Sequence, residues 1–208
     1  MTRIYLIRHG ESIGNATRRY LGHTDLGLSD LGLQQAEETA RELASVPFSA
    51  IYSSDLMRAF DTAAPHAKMR GLQVEKCREL REMYTGEWEG AKVDYLLTLD
   101  AFVKGWREDF GNFTFPGGER VADAANRMFN KLRNIATSHD GETVAVASHA
   151  AAIRAFWCKM LGLPKDEWAK AVPFPTNASY SVLEYDNGAF IPVKFSCDEH
   201  LSKVTKQP

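Results

Sequence analysis

Apolar residues along the chain follow two rhythms: short dense runs, and longer stretches in which they recur every three or four positions. Ile4-Tyr5-Leu6-Ile7 is a run of the first kind, β-branched at both ends, as a strand buried on both faces requires. Thr143-Val144-Ala145-Val146-Ala147 is a second, Ser49-Ala50-Ile51-Tyr52-Ser53-Ser54 reads as a third, and a weaker strand is expected near Leu72–Cys77. The helical rhythm begins with Leu33, Ala36, Ala40 and Leu43, with Ser29 as N-cap and an end at about Val46, before Pro47. It returns in Leu56, Ala59, Phe60, Ala63 and Ala67, where Asp55 is the expected cap and Gly71 the stop. Val121, Ala124, Met128, Leu132 and Ile135 mark a third helix, and about Ala150–Leu161 a fourth, ending before Gly162 and Pro164. Tyr180–Tyr185 and Phe190–Phe195, separated by Asp186-Asn187-Gly188-Ala189, predict a hairpin. Alternating strands and helices predict an α/β fold: a mainly parallel central sheet covered on both faces, with the C-terminal hairpin antiparallel.

Two stretches break the rhythm. Residues 12–28 are polar and glycine-bearing and read as a long functional loop. Residues 83–118 gather Tyr84, Trp88, Tyr95, Phe102, Trp106, Phe110, Phe113 and Phe115 among glycines and charges, with a helical pattern over roughly Lys92–Trp106. This segment is expected to be an inserted cap or lid, most of its aromatics building a subsidiary core. With no internal repeat, low-complexity tract or linker, residues 1–208 are expected to form one domain.

Charge narrows the partners. The 25 basic and 27 acidic residues leave a net charge of −2, so no global field favours nucleic acid or an anionic membrane, and any anion site must be local. No apolar stretch approaches the roughly 20 residues that span a bilayer, and the N-terminal run ends too soon, at Arg8, for a signal peptide. Cys77, Cys158 and Cys197 are odd in number and widely spaced, which argues against a disulfide framework and for a reducing, cytoplasmic setting. Oligomeric state is not readable.

Chemistry concentrates where strands end. Ile4–Ile7 runs into Arg8-His9-Gly10-Glu11, and in open α/β sheets ligands sit outside the carboxyl ends of strands. Arg58 opens the helix after Ile51–Ser54, His149 follows Thr143–Ala147, and Glu82 precedes the aromatic segment. Taken singly, each has an ordinary reading as a strand-end cation, a core histidine or a surface carboxylate. Jointly they are the inventory for phosphoryl transfer through a phosphohistidine. A neutral His9 attacks, Arg8 and Arg58 disfavour its protonated form and neutralise the phosphoryl oxygens, and His149 donates a hydrogen bond. Glu82 protonates the leaving alkoxide and then activates water. Leu21, Gly22 and His23, in the loop after the nucleophile, are candidates for the pocket wall together with Ala150. Lys92, Lys104 and Arg107 are candidates for meeting a second anionic group, while His66, His139 and His200 have no motif behind them.

These motifs resemble the histidine phosphatase superfamily, the phosphoglycerate-mutase-like fold. The Arg-His-Gly-Glu motif stands at Arg8–Glu11 with its asparagine at Asn15, and Ser54-Asp55-Leu56-Met57-Arg58-Ala59…Thr62-Ala63 matches a second segment. Leu80-Arg81-Glu82 and Gly86-Glu87-Trp88-Glu89-Gly90 match the acid segment. Asp25, Leu28-Ser29, Leu31-Gly32, Pro116-Gly117-Gly118-Glu119 and Asn177-Ala178-Ser179 extend the match nearly end to end. The resemblance implies a three-layer α/β/α sandwich, His9 as phosphorylated nucleophile and Glu82 as acid/base. It implies that Arg8, Asn15, Arg58 and His149 hold the phosphoryl group, with no metal or cofactor. One departure is that the second histidine is followed by Ala150 where the family usually has glycine; as the first residue of a helix, alanine still offers its N–H. The acid segment, Arg81-Glu82-Met83-Tyr84-Thr85-Gly86, is closer to the family's phosphatases than to its mutases. The expected activity is therefore hydrolysis of a small phosphomonoester. A cofactor-dependent phosphoglycerate mutase is the alternative, and a fructose-2,6-bisphosphatase or a non-catalytic module binding phosphorylated ligands stands behind it.

Overall fold

In a computed structural model, which describes residues 1–205, the strands are β1 (Thr2–Arg8), β2 (Ala50–Ser54), β3 (Val74–Cys77), β4 (Thr143–Ser148), β5 (Tyr180–Asp186) and β6 (Ala189–Cys197). The helices are α1 (Ile13–Ala16), α2 (Asp30–Glu42), α3 (Met57–Arg70), α4 (Val93–Leu96), α5 (Val121–Ser138), α6 (Ala150–Met160) and α7 (Trp168–Ala171). The six strands form one sheet in the order β3-β2-β4-β1-β5-β6. β3, β2, β4 and β1 are parallel, while β5 runs antiparallel to β1 and to β6. Asn187 and Gly188 both take positive φ (48° and 84°) in the turn of the β5–β6 hairpin, the two-residue geometry whose twist matches the strands it joins.

The pleat divides the core in two. Ile4, Leu6, Val144 and Val146 point to one face, where Met128 and Leu132 of α5 and Ile153 and Phe156 of α6 cover them. Ile7, Ala145 and Ala147 point to the other and meet Ala59 and Ala63 of α3 and Leu43 just beyond α2. A helical layer on each face makes the expected three-layer sandwich. No helix among the described residues is long and apolar enough to cross a membrane.

Local expectations fail where a distant partner intervenes. Asp55 does not cap α3. It forms a two-pronged ion pair with Arg81 (2.6 and 2.7 Å), and the carboxylate of Asp25 accepts the N–H of Met57 instead (2.7 Å). α2 stops at Glu42 and not at Val46, because Arg70 of α3 collects the carbonyls of Leu43, Ala44 and Val46. The loop over 12–28 contains the single turn α1, with Ser12 and Asn15 capping each other reciprocally. Lys92–Trp106 is not one helix. α4 ends at Leu96, Thr98 Oγ1 donates to the Tyr95 carbonyl (2.7 Å), and a wide-turn helical segment resumes at Ala101–Arg107. The aromatics of residues 83–118 turn inward: Trp88, Phe102, Trp106, Phe110 and Phe115 are buried and continuous with the core under α5 and α6.

Candidate active site

β1 and β4 pair in parallel with Arg8 opposite Ser148, so the next residue on each strand, His9 and His149, emerges at the same level. Their rings lie 5.1 Å apart between centroids. The chain leaves β1 through a close backbone approach: a Cβ on Gly10 would lie 2.5 Å from the Gly32 carbonyl oxygen, and one on Gly32 2.0 Å from that of Glu11. Two glycines are needed there because main chain touches main chain.

His9 Nδ1 is 2.7 Å from the Gly10 carbonyl oxygen, which can only accept, so Nδ1 carries the proton and Nε2 keeps its lone pair. Burial, then the charges of Arg58 and Arg8, push its pKa well below the ordinary 6.5, so His9 is neutral. The main chain at the turn is held by the Asn177 amide, which donates to the carbonyls of His9 and Gly10 and to Asn15 Oδ1 (each 3.2 Å). Thr62 Oγ1 accepts the Gly10 N–H at 3.0 Å.

Both floor arginines are tethered to carbonyls and not to carboxylates. Arg8 Nη1 donates to Pro175 O (2.6 Å), while Arg58 donates to Thr24 O (3.0 Å) and Gly22 O (2.7 Å). Burial lowers both pKa values to about 10, which leaves the guanidiniums charged at neutral pH. Their charge is therefore not cancelled by an ion pair and remains available to an incoming anion. Arg8 Nε and both ring nitrogens of His149 are buried without a hydrogen-bond partner among the described residues, capacity that a phosphoryl group would meet. Burial, then Arg58 and His9, also hold the His149 pKa well below 6.5.

Glu82 rests on the N-terminus of α6. Its carboxylate accepts from the N–H groups of Ala151 (3.0 Å), Ala152 (2.9 Å) and Met83 (3.0 Å). Ala150 is helical and takes no positive φ, so alanine in the family's glycine position carries no strain. Arg8, His9, Asn15, Arg58, Glu82, Leu21 and Ala150 all line one narrow cleft. His149 is fully buried beside His9. Gly22 and His23 are not in the wall: Gly22 offers its carbonyl to Arg58, and His23 Nε2 donates to the Glu82 carbonyl (3.0 Å). Among the described residues no group of three or more His, Cys, Asp or Glu is placed to hold a metal ion.

Sequence reasoning passed over three residues. Asn177 is one. Glu89 is another: its carboxylate accepts the N–H groups of His23 (2.8 Å), Thr24 (2.9 Å) and Thr85 (3.1 Å) and the hydroxyls of Thr24 and Thr85. Burial alone would raise its pKa, but these hydrogen bonds bring it down to about 2. Arg127 is the third, donating to the carbonyls of Glu79, Arg81 and Glu82 while paired with Glu119, and so fixing the segment that carries the acid. Asn177 and Glu89 stood in quoted motifs without a role assigned; Arg127 sits unmarked on a helix.

Known proteins share this arrangement of chain. The sequence profile of the histidine phosphatase superfamily (branch 1) matches residues 4–198. Phosphoserine phosphatase 1 of Hydrogenobacter thermophilus is 33% identical over 205 residues, covering 98% of this chain and 96% of that protein. A probable phosphoglycerate mutase, GpmB, of Salmonella choleraesuis is 31% identical over 195 residues, 92% of this chain and 88% of its own. The mycobacterial glucosyl-3-phosphoglycerate phosphatase solved with VO3 superposes with a TM-score of 0.87 at 29% identity, covering 94% of this chain and 99% of that one. With a profile match over nearly its whole length and a fold shared with these enzymes, the chain belongs to the histidine phosphatase superfamily, branch 1.

Proposed function

We propose that the protein hydrolyses small phosphomonoesters through a phosphohistidine on His9. The observation that carries this reading is a neutral, buried His9 with Nε2 free, beside two charged arginines that have no carboxylate partner, in a cleft that also holds Glu82. Nε2 attacks phosphorus, the ester P–O bond breaks, and Glu82 protonates the departing alkoxide. Water then attacks phosphorus, its proton passes to Glu82, and the N–P bond breaks to release phosphate and neutral His9. Arg8, Arg58, Asn15, His149 and the N-terminus of α6 at Ala150 hold the phosphoryl oxygens throughout.

The substrate is a small molecule; nucleic acid and membrane have no part in this reading. All 208 residues act as one domain, in which the segment 83–118 supplies core more than lid, since only its Val93 reaches the cleft. Three unpaired cysteines fit a cytoplasmic location. The relative named as a mutase keeps phosphoglycerate interconversion as the second reading, because the same residues serve both. Phosphate release from a panel of monoesters in chelator, by wild type and His9→Ala, tests the proposal. The panel includes 3-phosphoglycerate with a bisphosphoglycerate primer. Release by wild type alone supports hydrolysis, interconversion without net release supports the mutase, and equal rates for both proteins would remove His9 from the mechanism.

A further inference from the structure

Arg58 is aimed by two main-chain carbonyls, those of Gly22 (2.7 Å) and Thr24 (3.0 Å), and a loop carbonyl aims nothing unless the loop itself is held. Of the other cations raised by the sequence, Lys104 pairs with Asp100 at 2.8 Å, and neither Lys92 nor Arg107 lines the cleft, so none of them stands in for Arg58. What holds residues 22–24 is the carboxylate of Glu89. Its Oε2 accepts the N–H of Gly22 (3.3 Å), the N–H of Thr24 (2.9 Å) and the Thr24 hydroxyl (2.5 Å). Its Oε1 accepts the N–H of His23 (2.8 Å) and both the N–H and the hydroxyl of Thr85 (3.1 and 2.8 Å). Three successive N–H groups converging on one anion form a nest. The fit leaves no room for a side chain: a Cβ on Gly22 would lie 2.2 Å from Glu89 Oε1 and 2.4 Å from Met83 O.

One peptide unit links this carboxylate to Arg58. The bond joining Gly22 to His23 is trans, and a trans peptide points its N–H and its C=O in opposite directions. The N–H of that unit ends on Glu89 Oε1, and its C=O ends on Arg58 Nη2. An anion at one end and a cation at the other polarise the unit in the same sense, which strengthens both hydrogen bonds. A glutamine could not replace the carboxylate. Whichever way its amide turned, the NH2 would face either Gly22 and Thr24 N–H or His23 and Thr85 N–H, donor against donor.

We propose that Glu89 is a positioning residue that acts on Arg58 through the Gly22–His23 peptide and fixes the guanidinium where the phosphoryl oxygens arrive. Glu89 itself does not line the cleft. This rests on reading the cleft as a phosphoryl site and adds the group that aims one of its cations. The competing account is that Glu89 only braces the two loops it joins.

A double-mutant cycle separates the two. Inorganic phosphate binding, followed by phosphorus NMR, and turnover of a monoester are measured for wild type, Glu89→Gln, Arg58→Met and the double variant, with thermal melts to show that each is folded. Glu89→Gln is expected to weaken phosphate about tenfold while Arg58 is present, the scale of a hydrogen bond to a charged group, and less than about twofold once Arg58 is Met. The loss in kcat follows the same pattern. Equal losses in both backgrounds would overturn the proposal in favour of the brace. A loss that disappears in Glu82→Gln but not in Arg58→Met would overturn it in favour of the acid. Should Glu89→Gln fail to fold, Thr24→Val removes one donor and leaves the carboxylate; a loss of about threefold that depends on Arg58 supports the proposal, and one that does not overturns it. If wild type releases phosphate from no monoester while the binding cycle stays non-additive, the hydrolytic reading fails and the coupling of Glu89 to Arg58 stands.

Discussion

At the floor of the cleft, Arg8 and Arg58 are each 1% exposed, and main-chain carbonyls fix where both guanidiniums point. At its exposed edge, Arg19 also lines the cleft and touches one carbonyl, that of Gly90. The floor is over-determined: His9 is held through Gly10, Thr62 and Asn177, and Glu82 through three N–H groups. The edge is carried by two stretches joined through main chain, Tyr20 N–H to Ala91 O, Gly90 N–H to Tyr20 O and Val93 N–H to Arg18 O. Electrostatic preorganisation demands the first arrangement, because donors that must reorient during reaction lose their advantage. The catalytic floor and the exposed edge therefore differ in how firmly they are held, and substitutions should separate them.

The largest effect is expected at the floor's centre. His9→Ala should lower phosphate release by about ten-thousand-fold or more, with no phosphoryl adduct by mass spectrometry; residual activity near wild type would displace the nucleophile. Arg58→Lys should cost about a hundredfold in kcat, since an ammonium cannot hold both Thr24 O and Gly22 O and still face the phosphoryl oxygens. A mild effect there would mean that charge alone suffices. Asn177→Ala, which frees the turn without touching substrate, should cost about tenfold in kcat with KM little changed. A shift in KM alone would place Asn177 on the substrate and not behind the nucleophile.

Two expectations concern protons. Because His9 is held neutral well below pH 6.5, protonation of this group should not set an acid limb of kcat/KM near that value. Disappearance of an apparent pKa near 6.5 in a variant at His9 would contradict the neutral floor. The other is in stability and leaves turnover aside. His66 on α3 is fully buried with neither ring nitrogen paired among the described residues, and burial brings its pKa down to about 4. The unfolded chain takes up this proton at 6.5 while the folded chain resists until about 4, so stability is lost as pH falls through that window. His66→Leu should flatten the decline between pH 7 and pH 4.5 by about 2–3 kcal/mol in urea unfolding. An unchanged slope would assign the acid sensitivity to His9 and His149 instead.

The strands were legible because their chemistry is local. Ile4–Ile7 and Thr143–Ala147 are apolar on both faces whatever surrounds them, and Ser29 caps α2 as its position predicts, accepting the Gly32 N–H. The floor residues were legible because Arg8, His9, Arg58, Glu82 and His149 are unusual types at strand ends. What failed to show were contacts made by ordinary groups over long separations. Asp55 stands in sequence where a cap of α3 belongs, but Arg81 takes its carboxylate and Asp25, from a distant loop, accepts the Met57 N–H instead. The carbonyls of Gly22, Thr24 and Pro175 that aim the guanidiniums have no side-chain signature at all.

β1 comes first in the chain yet lies inside the sheet, between β4 and β5, whose partner residues begin at 143 and 180. During synthesis this apolar strand has no neighbour until more than half of the molecule has left the ribosome. Pairing with β4 brings His9 level with His149, while the other edge of β1 and the turn after it wait for β5 and Asn177. Catalytic competence therefore arrives with the last long-range contacts to form, and chains stalled before β5 should be both inactive and prone to capture by chaperones.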